Sequence, residues 1–247
     1  MNCVYVRNLR LGEGTPKVCI PLVGASDEAL FEEIKALSSY PADLVEWRTD
    51  YMNDIFNEGR LTGLLPRLRK HLGNTPLIFT FRTTKEGGQR QASPQQYKTL
   101  AMEAIASGCI DLIDIELFSD PDSITELTAL AKEKGVKTIF SSHDFYSTPS
   151  CGELLSRLRH MEKLGADIAK IAVMPRCPED VLTLLTATVT ARRQLTCRHH
   201  GHGGNRAHQP CLGGNLWLLS YFWSGRTGIR SRTDRCQRAK MCAGYSS

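Results

Sequence analysis

Six short β-rich runs alternate with six amphipathic helical stretches over the first 190 residues, and this alternation restricts the chain to a parallel α/β architecture. The runs are Lys17–Val23, Leu44–Arg48, Leu77–Arg82, Leu112–Leu117, Lys137–His143 and Ile168–Met174. The helical stretches fall near 27–39, 57–72, 95–107, 122–133, 151–164 and 178–190. Ser26-Asp27, Ser93-Pro94 and Pro178-Glu179 supply helix starts, and Gly108, Gly135 and Gly165 supply stops. No glycine-rich phosphate fingerprint follows the first run, so a barrel is expected rather than an open dinucleotide-binding sheet. Val4–Arg10 reads as an additional strand, part of a hairpin turning at Gly12-Glu13-Gly14.

Each run after the first turns polar toward its C-terminal end on a single parity. Side chains alternate across a strand, so one parity faces the barrel interior. Glu46 and Arg48 share that face in the second run, and Thr80 and Arg82 share it in the third. Asp114 and Glu116 follow in the fourth, Ser141 and His143 in the fifth, and Lys170 in the sixth. Taken singly, each is a salt-bridged core charge or a solvated strand end. Five consecutive strands repeating the pattern argue for one site at the mouth where barrel enzymes keep their chemistry.

Lys170 stands apart because it lies within the apolar run Ile168-Ala169-Lys170-Ile171-Ala172-Val173-Met174. Desolvation and nearby arginines lower the pKa of such an amine and free its lone pair for attack on a ketone. The protonated imine is an electron sink that acidifies the adjacent carbon. His143, one strand away, is placed to remove that proton and to protonate a leaving hydroxyl. Glu86, in the loop after the third strand, can orient His143, and Arg48 and Arg82 suit a carboxylate or hydroxyl-rich anion.

The same residues sit in the segments Leu44-Val45-Glu46-Trp47-Arg48-Thr49-Asp50, Phe79 to Gly88, Asp114-Ile115-Glu116-Leu117, Ser142-His143-Asp144-Phe145 and Gly165 to Pro175. In order and spacing, from about Val4 to Ala191, these resemble the type I 3-dehydroquinate dehydratases. The resemblance implies a (β/α)8 TIM-type barrel and a homodimer acting in the shikimate pathway. It implies a Schiff base at Lys170, His143 as general acid and base supported by Glu86, and Glu46, Arg48 and Arg82 as substrate ligands. The substrate would be 3-dehydroquinate, losing water in a syn sense to give 3-dehydroshikimate, with no cofactor and no metal. Pro21 stands where many members carry a serine, which removes one hydroxyl contact. Another class I Schiff-base barrel enzyme of the aldolase type is the alternative; the Glu46/Arg48 and Ser142-His143-Asp144 blocks speak against it.

At 41% hydrophobic and 23% charged, the chain carries ample core material. No apolar run reaches membrane-spanning length and no signal peptide opens at Met1, so a cytoplasmic protein without membrane partners is expected. The nine cysteines include no CxxC pair and read as free thiols. The net charge of +5 is unevenly shared. From Ala191 onward there are nine Arg and one Lys against Asp234, whereas the preceding residues carry 21 basic and 25 acidic groups.

After Ala191 the periodicity ends and Arg, His, Cys, Gly and Trp crowd in. Read one nucleotide later, the codons for His199–His202 permit Ile-Met-Ala-Met, and those for Asn205–Pro210 permit Thr-Gly-Leu-Ile-Ser-Arg. Gly213–Trp217 then permits Gly-Glu-Ile-Phe-Gly, and Gly228–Asp234 permits Ala-Ser-Ala-Pro-Gly-Gln-Ile. All four resemble blocks of the same family, in the same order. The expected organisation is therefore a partial barrel over residues 1–190, with only six βα units in frame, and an irregular, out-of-frame tail over 191–247. Family contacts that would stand near positions 210, 229 and 233 have no in-frame counterpart, so the chain as written is expected to fold poorly and turn over little substrate. Cys197, His199, His200, His202 and Cys211 imitate metal-ligand spacing, but no periodicity would hold them in a shell. Arg226–Arg238 could attract phosphates nonspecifically, which is the basis of a third reading, a basic-tailed binding protein; a selected nucleic-acid role is not expected. Sequencing the codons between about Arg192 and Arg198 tests the shift. A stop codon soon after, in the alternative frame, would sink it.

Overall fold

The computed structural model describes residues 3–198 and 216–218. An N-terminal hairpin of β1 (Val4–Val6) and β2 (Leu9–Leu11) precedes the alternating elements. These are β3 (Cys19–Leu22), α1 (Asp27–Ala36), β4 (Leu44–Arg48), α2 (Arg60–Leu72), β5 (Leu77–Thr80) and α3 (Pro94–Ala106). They continue as β6 (Leu112–Glu116), α4 (Pro121–Lys134), β7 (Lys137–Asp144), α5 (Cys151–Lys163), β8 (Ile168–Val173), α6 (Pro178–Arg198) and β9 (Leu216–Leu218). Strands β3 to β9 form one parallel sheet in strict sequence order. All six expected β–α units are present, the pattern of a barrel built in order. Among the described residues nothing pairs β9 with β3, so the sheet has two edges.

Local chemistry sets the helix ends. Ser26 Oγ accepts from the Ala29 amide at the start of α1. Ser93 and Gln96 form a reciprocal capping box on α3. Gly135 ends α4 in the left-handed conformation, with φ of 72°.

Two apolar layers flank the sheet. On the outer side Val45, Trp47, Phe79, Ile113, Phe140 and Ile171 pack against the helices. On the inner side Leu44, Ile78, Leu112, Ile139 and Ile168 form a ring that Val4, Val6 and Leu11 of the hairpin close from below. The hairpin is thus a plug that spares the lower interior from water.

One expectation needs correction, and one element runs further than the sequence pattern. The hairpin turns at Arg7-Asn8 and not at Gly12-Glu13-Gly14, because Val6 pairs with Leu9 and leaves only two residues between the strands. Such a tight turn calls for positive φ, and Arg7 adopts 52°. Its guanidinium donates to Asp111 Oδ1 at 2.6 Å, which ties the plug to the start of β6. The sixth helix also continues past residue 190 to Arg198, and the apolar triplet Leu216-Trp217-Leu218 adds a seventh strand. Ala169, Lys170 and Ile171 of β8 would otherwise present an unpaired edge, and they pair with these three residues.

Among the described residues, no helix is long and apolar enough to cross a membrane. The histidines and cysteines from Cys197 to Cys211, the arginines from Arg226 to Arg238, and positions 210, 229 and 233 lie outside the described side chains.

Phe140 is fully buried in the outer layer, whereas Arg7 and Asp111 form a partly exposed pair. Phe140→Ala is expected to cost about 3–5 kcal/mol and Arg7→Ala at most about 1 kcal/mol. Urea unfolding midpoints measure both. Equal losses would refute this ranking of the outer core above the plug's ion pair.

Candidate active site

The polar ends of β4 to β8 meet at one mouth above the inner apolar ring. Lys170 is only 8% exposed, yet its Nζ donates to Asp114 Oδ2 at 3.3 Å and to Glu46 Oε1 at 3.5 Å. Thr80 Oγ1 donates to the same Glu46 oxygen at 2.8 Å. Beneath the amine lies a small cavity of about 50 Å³, walled by Leu11, Cys19, Pro21, Ile78 and further apolar side chains. Burial first, and the Glu46 charge second, push the Cys19 thiol well above its ordinary range, so it stays protonated there. Pro21 is on β3, an edge strand among the described residues, where its missing N–H costs no ladder bond.

Arg82 occupies the centre. Its Nη2 donates to Asp114 at 2.9 Å, and its Nη1 donates to Ser141 at 2.9 Å, Glu116 at 3.1 Å and Glu86 at 3.3 Å. Burial opposes the guanidinium charge, but the surrounding carboxylates outweigh it and hold the group protonated. At 3% exposure Arg82 is enclosed by its partners. Arg48 lies nearer the opening, with its side chain 20% exposed and held two-pronged by Asp50 at 2.8 and 2.9 Å.

His143 Nδ1 lies 2.8 Å from Glu86 Oε2. The local sequence explains how Glu86 gets there. After β5 the chain makes one 3-10 turn over Thr84–Glu86, and Gly87 stops it with φ of 79°. A Cβ on Gly88 would lie 1.8 Å from the Arg82 carbonyl oxygen, so only glycine permits the loop to fold back this closely. Phe145 lies over Gly87 and stacks on the His143 ring with centroids 6.1 Å apart. Burial is the largest influence on both partners. It pushes Glu86 up to about 8, against the pull of Arg82, and with Arg82 and Lys170 it drives His143 well below its ordinary range. Both directions give a pair that carries no net charge near neutral pH, ready to accept or release one proton.

The structure brings Lys170, His143, Glu86, Glu46, Arg48 and Arg82 into one cluster. Asp114 and Glu116 lie on the expected parity without a role that the sequence assigned. Two further residues lacked any assignment. Asp50 clamps Arg48 and accepts from the Gln89 amide at 3.0 Å, so it ties β4 to the glycine loop. Its spacing after Glu46 and Arg48 was the available signal. Tyr97 of α3 accepts from the Glu116 amide at 3.1 Å, and no strand pattern could have reported a helix residue.

This arrangement of a buried amine beside a histidine–carboxylate pair coincides with a family match. The profile of the type I 3-dehydroquinase family matches residues 18–200. The chain belongs to that family. A 3-dehydroquinate dehydratase of Clostridium novyi is 47% identical over 188 residues, covering 76% of this chain and 74% of the relative. That of Listeria monocytogenes serotype 4b is 45% identical over 190 residues, covering 77% and 75%. Among solved structures, a type I 3-dehydroquinate dehydratase of Clostridium difficile with covalently modified comenic acid superposes with a TM-score of 0.76 at 42% identity, covering 78% of this chain and 76% of that one. The Enterococcus faecalis enzyme gives 0.74 at 43%, covering 76% and 79%.

The raised Glu86 pKa has a consequence for stability. Between 4.5, its ordinary value, and about 8 the folded protein holds a proton that the unfolded chain has lost. Stability from this group therefore falls as pH rises through that window. The depressed His143 contributes the opposite slope, a gain as pH rises toward its ordinary value. Glu86→Gln removes the first slope, so it should gain stability relative to the parent between pH 5 and 9 in thermal unfolding. A constant difference across that range would refute the assignment.

Proposed function

We propose that this chain is a 3-dehydroquinate dehydratase, a hydro-lyase that works through an imine at Lys170. The observation that carries the reading is the buried Lys170 amine at the mouth, one strand from a histidine already bonded to a carboxylate. The Lys170 nitrogen attacks the substrate ketone, and loss of water leaves a protonated imine. His143 removes a proton from the adjacent carbon, and the electrons pass into the imine. The same residue then protonates the leaving hydroxyl. Glu86 holds the ring by Nδ1, which leaves Nε2 for the substrate.

Glu46 and Arg48 meet the substrate's hydroxyls and carboxylate from β4. Arg82 joins them by releasing Glu86, its longest partner at 3.3 Å. No metal or cofactor takes part in this scheme. The covalently modified comenic acid of the Clostridium difficile structure is in keeping with a lysine that bonds to carbonyl ligands. Cytoplasmic location, a homodimer and a place in the shikimate pathway are carried over from the family.

The tail bears on rate. The described sheet ends at the three-residue β9, and the family blocks legible in the other frame are absent from this one. Turnover of the chain as written should therefore fall far below that of a version with the reading frame restored.

Borohydride added with 3-dehydroquinate should fix one reduced adduct on Lys170, read by peptide mass, and Lys170→Ala should lose it. His143→Gln should keep the adduct while kcat drops by about 10²–10⁴. An adduct on any other lysine, or none with the frame-restored chain, would overturn the proposal.

A further inference from the structure

Asp114 makes contacts that the scheme above leaves unused. Its side chain is 1% exposed in the middle of β6, and Arg82 and Lys170 both donate to its Oδ2, at 2.9 and 3.3 Å. A close hydrogen bond from Ser141 Oγ occupies Oδ1. The backbone is fixed too, since the Tyr97 hydroxyl donates to the Asp114 carbonyl at 3.5 Å. Such a carboxylate cannot swing toward a substrate. It faces the nitrogen instead.

Forming the imine changes what that nitrogen offers. The ammonium and the ketone together give a protonated imine and one water. The C=N bond forms as the carbonyl C–O bond breaks, and the oxygen leaves with two of the three ammonium protons. One N–H remains, still carrying the positive charge. Asp114 and Glu46 both lie within reach of it. Glu46 accepts from Thr80 and is more exposed, with its side chain at 12%, which leaves it available to substrate hydroxyls.

Resting on the Schiff-base reading, we propose that Asp114 is the counter-ion of the Lys170 imine, accepting its one N–H and holding the nitrogen in place while the adjacent carbon loses its proton. Among the described residues, the charged and titratable groups around the amine include Cys19 of β3, Glu46 of β4, Asp114 of β6 and His143 of β7, with Arg82 after β5 on the far side of Asp114. Arg82 stabilises Asp114 as an anion and repels the imine charge, so removing the carboxylate takes away the one anion that both cations share and leaves the nitrogen with Glu46 at 3.5 Å.

The test uses the full chain, with Asp114→Asn and Ser141→Ala. Reductive methylation by formaldehyde and cyanoborohydride, followed at Lys170 by peptide mass across pH, gives the midpoint of the amine without reference to the natural substrate. In Asp114→Asn the midpoint should fall by about one pH unit or more. The fraction trapped with 3-dehydroquinate and borohydride should fall about tenfold, the equivalent of about 1.4 kcal/mol. Ser141→Ala keeps the charge but frees Oδ1, so its midpoint should rise. A purely structural role would leave both midpoints unmoved in proteins with unchanged circular dichroism, and that result overturns the proposal. If Asp114→Asn does not fold, Ser141→Ala decides, a rise supporting the counter-ion and no change refuting it. If the midpoints shift but the frame-restored chain forms no adduct with 3-dehydroquinate, the dehydratase reading fails and the Asp114 pairing stands.

Discussion

The Arg82 guanidinium, enclosed by Asp114, Glu116 and Glu86, is the contact on which the site depends. It joins the end of β5 to two carboxylates of β6 and to the loop that carries Glu86. Without that cation, Glu46, Glu86, Asp114 and Glu116 would crowd one poorly hydrated mouth and repel one another. Burying a guanidinium costs several kcal/mol, and only a full set of acceptors offsets it. The site meets that condition by giving Arg82 four partners. The arrangement therefore contributes position and field more than net stability.

That field sorts the protons. Burial alone would raise the Asp114 pKa, but Arg82 and Lys170 beside it hold it well below the ordinary carboxylate range. Glu86 has only the longest of the Arg82 contacts, at 3.3 Å, and burial with the nearby Glu116 and Asp114 charges keeps its proton on to about 8. Two carboxylates of one cluster thus take opposite protonation states because their surroundings differ. One is suited to face a positive nitrogen, and the other to share a proton with His143.

The scaffold separates dry from wet along the strand direction. The hairpin plug and the ring from Leu44 to Ile168 fill the floor, and the polar parity begins one step above it. An open parallel sheet would expose a long edge at β8, and the short β9 pairs three of its residues.

Much of this was legible in the sequence. The alternation of runs, the polar parity at the ends of β4 to β8 and the Lys85-Glu86-Gly87-Gly88 loop marked six site residues, since period-two patterns and glycine requirements are local properties. The hairpin turn was misplaced because Gly12 and Gly14 gave a stronger local signal than Arg7, whose positive φ is held by a long-range bond to Asp111. Sequence alone determined which side chains face the interior and that a lysine sits among apolar neighbours. Only the tertiary structure decided which carboxylate meets Lys170, that Arg82 is enclosed, and that Glu86 and His143 share a proton. Those outcomes depend on distances of about 3 Å between strands far apart in the chain, and on the burial that gives such distances their electrostatic weight.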